Sequence, residues 1–104
     1  MYVYFVIMAF EWDPKKSKSN QLKHGISFDD APIVFNDFHI TTIDRRKEYG
    51  ENRYCTMGLL GNIKRIVLIA HTQRNGKIRI ISMRKANRRE QKIFNNYLKK
   101  VTYE

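Results

Sequence analysis

Cysteine, proline and glycine are scarce in this sequence of 104 residues, with one, two and five copies respectively. The single thiol, Cys55, has no partner for an internal disulfide and no companion at zinc-ligand spacing. The sequence therefore excludes a disulfide-stapled secreted domain and predicts a reducing, cytoplasmic environment. Low-complexity tracts and repeats are also missing, and 42% of the residues are hydrophobic. We therefore expect one compact domain over residues 1–104 and not a disordered chain.

Long hydrophobic runs are missing as well. The apolar segment 1–10 is far shorter than the roughly 20 residues that a membrane-spanning helix needs. It lacks the basic start and the small-residue cleavage site of a secretion signal, and Glu11 and Asp13 follow it closely. We interpret this segment as a strand and expect no membrane association.

Acidic residues are rare in the second half of the chain. Residues 1–52 hold seven Lys or Arg and eight Asp or Glu, whereas residues 53–104 hold thirteen and two. The net charge of +10 is therefore concentrated in the C-terminal half. Such a positive field attracts a polyanion, which can be a nucleic acid, an acidic membrane surface or an acidic protein.

The N-terminal part of the sequence predicts a strand followed by a helix. Aromatic and β-branched residues indicate a strand over residues 2–12. Asp13 and Pro14 are typical of a helix start, and Gly25 is typical of a helix end. We expect this mostly polar helix to use Leu22 as its main apolar anchor.

The middle of the sequence predicts a short helix and then a series of strands. Ser27 indicates the start of a helix over residues 27–36, which Pro32 shortens or kinks. Alternating apolar residues then predict strands, and Gly-Asn and Asn-Gly pairs predict tight turns between them. The predicted strands are residues 39–44, 53–60, 64–73 and 77–85, and the turns are Gly61-Asn62 and Asn75-Gly76.

The end of the sequence predicts an amphipathic helix over residues 87–100, with an apolar stripe on one side. The stripe consists of Ile93, Phe94, Tyr97, Leu98 and Val101. The order of elements predicts an α+β fold, with one twisted antiparallel sheet, two N-terminal helices and a C-terminal helix. We expect the helices to pack mainly on one face of the sheet and to leave the other face for a site.

Several segments together resemble one protein family. They are Phe10-Glu11-Trp12-Asp13, Asn20, Lys23-His24-Gly25-Ile26-Ser27-Phe28, Ala31, Val34-Phe35, Asp37, Tyr49-Gly50-Glu51, Arg53, Gly58, Arg79-Ile80-Ile81-Ser82-Met83-Arg84-Lys85-Ala86 and Arg89-Glu90. This combination resembles the BrnT family of toxins in type II toxin–antitoxin systems. The sequence departs from the family pattern at Met83, where a small residue is usual, and at His71-Thr72-Gln73, where Tyr-Thr-Glu is common.

The resemblance implies a RelE-like fold and an endoribonuclease that inhibits translation. It implies two macromolecular partners, which are RNA, either free or as ribosome-bound mRNA, and a cognate antitoxin with a ribbon-helix-helix DNA-binding part. Toxin and antitoxin would form a hetero-oligomer that neutralises the toxin and contacts operator DNA only through the antitoxin.

RNA cleavage requires no metal or other cofactor, because the 2′-OH of the substrate can attack the adjacent phosphorus. The protein must accept the 2′ proton, stabilise the charge on the phosphorane and protonate the leaving oxygen. Arg79 and Arg84 are the first candidates for the phosphate, and Arg53 is the third, because a guanidinium binds two phosphate oxygens at once. Arg79 and Arg84 lie five residues apart, which places them on opposite faces of a regular strand unless a bulge intervenes or Arg84 lies past the strand end. Each of these arginines has a structural alternative as an ion-pair residue, and for Arg53 the candidate partner is Glu51.

His24 and Glu51 are the candidate groups for proton transfer. A histidine titrates near neutral pH, and the helix C-terminus beside His24 favours its protonated form. Lys23, next to it, is a further candidate for the phosphate. The alternatives are a helix-capping role for His24 and a solvated side chain for Lys23. His39 and His71 fall on predicted strands and are interpreted as structural.

The remaining candidates would bind RNA outside the reacting phosphate. Trp12 and Tyr49 are able to stack on a base, although a tryptophan at a strand end is also typical of a core. The basic residues near the last helix are candidates for backbone phosphates, and they are Lys85, Arg88 and Arg89. Two alternatives to the nuclease stay open, which are a non-catalytic nucleic-acid-binding module and a domain whose basic face binds only an acidic antitoxin segment.

Overall fold

The computed structural model describes residues 9–45, 50–61 and 63–103. The α+β class is confirmed, with five strands and three α-helices in these residues. The elements are β1 (Phe10–Glu11), α1 (Pro14–His24), a 3-10 turn (Phe28–Asp30), α2 (Ala31–Phe35), β2 (His39–Ile43), β3 (Arg53–Leu60), β4 (Arg65–Arg74), β5 (Lys77–Lys85) and α3 (Arg88–Tyr103). The first part of the predicted N-terminal strand, Tyr49, and Asn62 of the first predicted turn lie outside the described residues.

The strands form one mixed sheet in the order β1-β5-β4-β3-β2. β2 to β5 form the expected antiparallel meander, but β1 pairs with β5 in parallel. The prediction of a purely antiparallel sheet is therefore wrong. The physical reason is that alternation of apolar and polar residues reports which face a side chain occupies, and it carries no information on which distant strand lies alongside or in which direction.

Both ends of α1 follow from local chemistry, as predicted. The Asp13 side chain accepts a hydrogen bond from the Lys15 amide at 2.9 Å, Pro14 occupies the first helical position, and Gly25 ends the helix with φ of 72°. The second predicted helix is divided in two. Ser27 caps the 3-10 turn, and the single turn of α2 follows with Pro32 at its start. Pro32 therefore begins a helix and does not kink one.

The main core lies between the sheet and the N-terminal helical segments, on what we term the helical face. The largest fully buried side chains there are Phe28, Ile26, Leu60, Ile69, Ile80, Met83, Val34 and Val67. Leu22 is not the anchor of α1, because it is 83% exposed. The anchor is the buried Asn20, whose Nδ2 donates to the Ile26 carbonyl at 3.0 Å and whose Oδ1 accepts from the Met83 amide at 3.1 Å. An amide that joins two backbone groups leaves no apolar signal in the sequence.

The C-terminal helix α3 packs on the opposite face of the sheet. Asn87 and Glu90 form a reciprocal capping box at its start, and the buried Phe94 ring lies 5.6 Å from the Phe38 ring. The expectation that the helices share one face is therefore wrong for α3, because an apolar stripe identifies a buried side of a helix but not the face that receives it. None of the described helices is long and apolar enough to cross a membrane.

Candidate functional site

A β-bulge places Arg79 and Arg84 on the same face of the sheet. Ser82 pairs with Ala70 and Ile80 pairs with His71, so Ile81 is left over in the register between β4 and β5. One extra residue reverses the alternation of side chains beyond it. We term the shared face, which lies opposite the helical face, the arginine face. The two arginines pair with Thr72 and Leu68, four residues apart on β4, so they are separated by about 13 Å along the strand direction.

One cross-strand row on the arginine face contains two arginines. Glu11 pairs with Arg79, Arg79 with Thr72, and Thr72 with Arg53. Side chains at directly opposed positions lie about 5 Å apart, so this row brings four polar groups from four strands together. The Thr72 hydroxyl is buried and donates to the Asn52 carbonyl at 2.6 Å, which fixes the middle of the row.

The arginines of this row contact carboxylates at long distances. Arg79 Nη1 lies 3.3 Å from Glu11 Oε1, and Arg53 Nε lies 3.9 Å from Glu51 Oε1. Glu51 Oε1 is also 3.6 Å from Arg74 Nη2. About 30% of each of the Arg79, Glu11, Arg53 and Glu51 side chains is exposed. Loose, part-exposed pairs of this kind contribute little to stability. Arg53 Nε itself is buried, so the exposed part of that side chain is what an anion can reach.

Arg84 has a different environment at the other end of the same face. Its Nη1 and Nη2 each donate to one oxygen of Glu90 at 2.9 Å, and Nη1 also donates to the Lys85 carbonyl at 3.2 Å. These hydrogen bonds, together with the Asn87 amide, hold the pKa of Glu90 below its ordinary value. A bidentate pair between Arg84 and a capping residue of α3 fastens the helix to the sheet. These contacts are those of an ion-pair residue, which is the alternative to a phosphate-binding role for Arg84.

A small cleft lies beside the Arg84–Glu90 pair on the arginine face. Its volume is about 300 Å³. The residues that line it are Thr42, Ile43, Asp44, Arg45, Cys55, Leu68, Arg84 and Glu90. Most of these side chains are polar or charged, so the cleft suits a polar group better than an apolar ligand. Among the described residues, no three His, Cys, Asp or Glu side chains come together as metal ligands would.

Lys23 and His24 do not lie in the cross-strand row. They occupy the last turn of α1, and none of the hydrogen bonds, ion pairs or ring contacts among the described residues joins them to Arg53, Arg79 or Arg84. The Asn20 bond to Met83 directs α1 along β5. The last turn of α1 therefore lies towards the Arg84 end of that strand, away from Arg79.

The candidates for additional RNA contacts fall into two groups. Trp12 packs edge-on against Phe28 with ring centroids 6.4 Å apart, so its ring belongs to the core on the helical face and not to the arginine face. Lys85, Arg88 and Arg89 are exposed between the end of β5 and the start of α3. Arg88 and Arg89 extend the positive surface beyond Arg84, whereas Lys85 pairs with Val67 and lies on the helical face at the end of β5.

Glu11 and Thr72 belong to the row, but reasoning from the sequence did not select them. In the sequence, Glu11 directly follows the apolar segment and stands in the run Phe10-Glu11-Trp12-Asp13. Its position opposite Arg79 depends on the parallel pairing of β1, which no local pattern reports. Threonine is common in strands, so Thr72 has no distinguishing feature in the sequence. Its position between Arg53 and Arg79 becomes visible only in the folded sheet.

A buried histidine lies on the helical face, away from the row. His71 is 5% exposed, its Nε2 lies 2.7 Å from the Thr56 hydroxyl, and its ring packs against those of Phe35 and Tyr54. Burial lowers the pKa of His71 from its ordinary 6.5 to about 4, and nearby His39 acts in the same direction. His71 is therefore neutral at physiological pH, as befits a structural residue.

We expect the free energy of unfolding to fall by about 2 kcal/mol between pH 7.5 and pH 5 because of His71. The unfolded chain binds a proton near pH 6.5, whereas the folded chain does so only near pH 4. This contribution is fully present above pH 6.5 and is lost as the pH falls towards 4. Urea unfolding at a series of pH values measures it. The control is His71→Gln, which keeps a polar group beside Thr56 but does not titrate, and an identical loss in this variant would contradict the assignment.

Comparison with known proteins yields one family. The family model described as the ribonuclease toxin BrnT of type II toxin–antitoxin systems matches residues 12–90 of the chain. The matched region runs from Trp12 to Glu90 and contains Arg53, Arg79 and Arg84. It leaves out β1 and nearly all of α3. No curated protein matches the chain.

Proposed function

Because the chain belongs to the BrnT family of ribonuclease toxins in type II toxin–antitoxin systems, we propose that it is a metal-independent endoribonuclease that cleaves mRNA and inhibits translation. A toxin of this class has RNA as its substrate and a cognate antitoxin as its partner. The observation that carries the proposal is the cross-strand row, in which Arg79 and Arg53 flank a buried threonine on one accessible face.

The row supports a reaction in which the RNA provides its own nucleophile. The 2′-oxygen attacks the adjacent phosphorus, the bond from phosphorus to the 5′-oxygen breaks, and the products are a 2′,3′-cyclic phosphate and a 5′-OH. Arg79 and Arg53 bind the non-bridging oxygens and stabilise the charge of the phosphorane. The Arg79 contact with Glu11 is long, at 3.3 Å, and exposed enough for a phosphate to compete with.

Glu51 is our candidate for the base that accepts the 2′ proton. It lies beside Arg53, so a phosphate held by that arginine brings the 2′-OH next to a carboxylate. Glu11 has the same relation to Arg79, and in its protonated form it is the candidate to donate a proton to the leaving 5′-oxygen; solvent then removes the proton from Glu51 and restores the one on Glu11. One carboxylate stands beside each arginine, so the direction in which RNA binds decides which of them accepts the 2′ proton and which donates to the 5′-oxygen.

The other basic residues extend the path of the RNA beyond the reacting phosphate. We assign backbone contacts to Lys85, Arg88 and Arg89, which are exposed where β5 meets α3. Lys23 and His24, at the end of α1, lie towards the same end of β5. Arg84 contributes indirectly, because its pairing with Glu90 holds α3 in place beside this path.

The system around this nuclease follows from the family. We propose that the antitoxin has a ribbon-helix-helix DNA-binding part and neutralises the toxin in a hetero-oligomer in the cytoplasm. The complex would contact operator DNA through the antitoxin alone. The fold would be a variant of the RelE-like arrangement, with a shortened second helix and a parallel edge strand.

The purified toxin is expected to cleave RNA in the presence of EDTA. The reaction is assayed on free RNA and on ribosome-bound mRNA, and product ends are identified as cyclic phosphate and 5′-OH by mass spectrometry. A substrate with a 2′-deoxy nucleotide at the cleaved position is the control and should remain intact. Cleavage of that substrate, or a strict need for added Mg²⁺, would contradict the mechanism. Binding without cleavage on both substrates would favour a non-catalytic RNA-binding protein.

A further inference from the structure

The apolar stripe of α3 is largely exposed. Of its five members only Phe94 is buried, and Ile93, Tyr97 and Val101 are 41%, 49% and 58% exposed. These three residues are spaced by four, so they lie on one side of the helix in successive turns. Large apolar side chains in such an arrangement are typical of a helix that receives a partner. The stripe lies outside the region that matches the family model, which ends at residue 90.

The surroundings of the stripe are strongly basic. α3 contains five Lys or Arg and a single acidic residue, Glu90, which is engaged by Arg84. Lys100 lies directly beside the stripe, with its Nζ 5.5 Å from the centre of the Tyr97 ring. Arg89, four residues before Ile93, lies on the same side of the helix, whereas Lys92 and Lys99 are exposed on its other side. A partner must therefore combine apolar side chains with negative charge.

We propose that α3 is the docking helix for an acidic, amphipathic helical segment of the cognate antitoxin. The segment would lie along α3, place its apolar residues against Ile93, Tyr97 and Val101, and direct Asp or Glu side chains to Arg89 and Lys100. The proposal rests on the proposed function, because that function supplies the antitoxin.

Charge argues against the other occupants. A second copy of the chain would bring another net charge of +10 and an equally basic helix to the contact. RNA matches the lysines but gains nothing from aliphatic Ile93 and Val101. The first eight residues of this chain are apolar but carry no charged side chain to complement the lysines. An acidic, amphipathic protein helix matches both the apolar stripe and the basic residues beside it.

Docking on α3 also provides a way to block the nuclease. The capping residue Glu90 and the buried Phe94 hold this helix over the arginine face. A segment bound along α3 therefore lies beside the path that we assign to RNA, near Lys85, Arg88 and Arg89. Its acidic residues would compete with RNA phosphates for that positive surface.

The test uses the triple variant Ile93→Gln, Tyr97→Gln and Val101→Gln, whose substitutions are at exposed positions and keep good helix propensity. Binding to the full-length antitoxin encoded by the adjoining gene is measured by isothermal titration calorimetry. We expect the affinity to fall by about 100-fold or more, as for removal of several central apolar contacts. We also expect added salt to weaken binding to the wild-type toxin. Leu22→Gln is the matched control, because Leu22 is 83% exposed on α1, another lysine-rich helix, and its loss should leave the affinity unchanged.

RNA cleavage by the triple variant separates this proposal from the proposed function. Without antitoxin the variant should cleave RNA at the wild-type rate, and with antitoxin it should escape inhibition. Antitoxin affinity within threefold of wild type would overturn the docking proposal whatever the nuclease activity. Two other results would also overturn it, by assigning the stripe to a different occupant. They are a wild-type dimer that becomes monomeric in the variant, and a loss of RNA affinity in the variant.

Discussion

Replacement of Arg79 by alanine is expected to lower the rate of RNA cleavage by about 10²–10³-fold, which is the usual effect of removing one donor to a developing oxyanion. Arg79 is the central guanidinium of the cross-strand row, with Glu11 on one side and Thr72 on the other. Its only described ion pair is the contact with Glu11 at 3.3 Å, and both side chains are about 30% exposed. The loss of this pair should therefore change the free energy of unfolding by less than about 1 kcal/mol.

Two variants separate the chemistry of Arg79 from its charge. Arg65→Ala removes the same charge at the start of β4, where the residue is exposed and on the helical face, so cleavage should be unaffected. Arg79→Lys keeps the charge but loses the fork that binds two phosphate oxygens, and it should restore only part of the rate. If Arg79→Ala cleaves RNA at a rate within threefold of wild type, the assignment of the cross-strand row as the active site is wrong.

The comparison of Arg79 with Arg84 shows what a sequence can and cannot say about such residues. Both arginines stand in one continuous motif, and both were equal candidates for the phosphate. The structure gives them different contacts, because Arg84 meets Glu90 with two hydrogen bonds of 2.9 Å while Arg79 meets Glu11 at 3.3 Å. The difference arises from the start of α3, whose capping box presents Glu90 to the sheet. A capping box is readable from Asn87 and Glu90, but its contact with Arg84 is a property of the folded chain.

Features that depend on neighbouring residues were predictable, and features that depend on distant pairing were not. The limits of α1 follow from Asp13, Pro14 and Gly25, and the Asn75-Gly76 turn joins β4 to β5 where the sequence places it. The parallel partner of β1 and the face that receives α3 need contacts between residues that are far apart in the chain. The bulge at Ile81 is an intermediate case. The spacing of Arg79 and Arg84 shows that a shared face needs either a bulge or an Arg84 beyond the strand end, but not which of the two occurs.

Asn20 stabilises the strand β5 close to its bulge. Among the residues that the structure describes, a parallel edge strand of two residues leaves most of the outer edge of β5 without strand partners. The Met83 amide, two residues beyond Ile81, points to that edge and donates to Asn20 Oδ1. Because an unpaired edge amide is costly when it is buried, the side chain of Asn20 takes the place of a neighbouring strand. A contact from α1, on the helical face, thus stabilises the register that places Arg79 and Arg84 on the same face.

Replacement of Asn20 by alanine is therefore expected to lower the free energy of unfolding by about 3 kcal/mol. The substitution leaves the Met83 amide and the Ile26 carbonyl without their partner, and each buried unsatisfied group costs about 1–3 kcal/mol. Urea unfolding gives the global loss, and amide hydrogen exchange gives the local one, with faster exchange at Met83 than at Val67 on β4. Asn95→Ala in α3 is the control, because this asparagine is exposed and its loss should cost less than about 0.5 kcal/mol.

The variant Asn20→Leu decides whether hydrogen bonds or packing carry the effect. Leucine fills the volume of the asparagine with apolar atoms and supplies neither donor nor acceptor. If the bonds carry the effect, this variant is as unstable as Asn20→Ala; if packing does, it regains most of the loss. A regain would mean that α1 is fastened to β5 by apolar contacts alone, and the register that aligns Arg79 with Arg84 would then need another explanation.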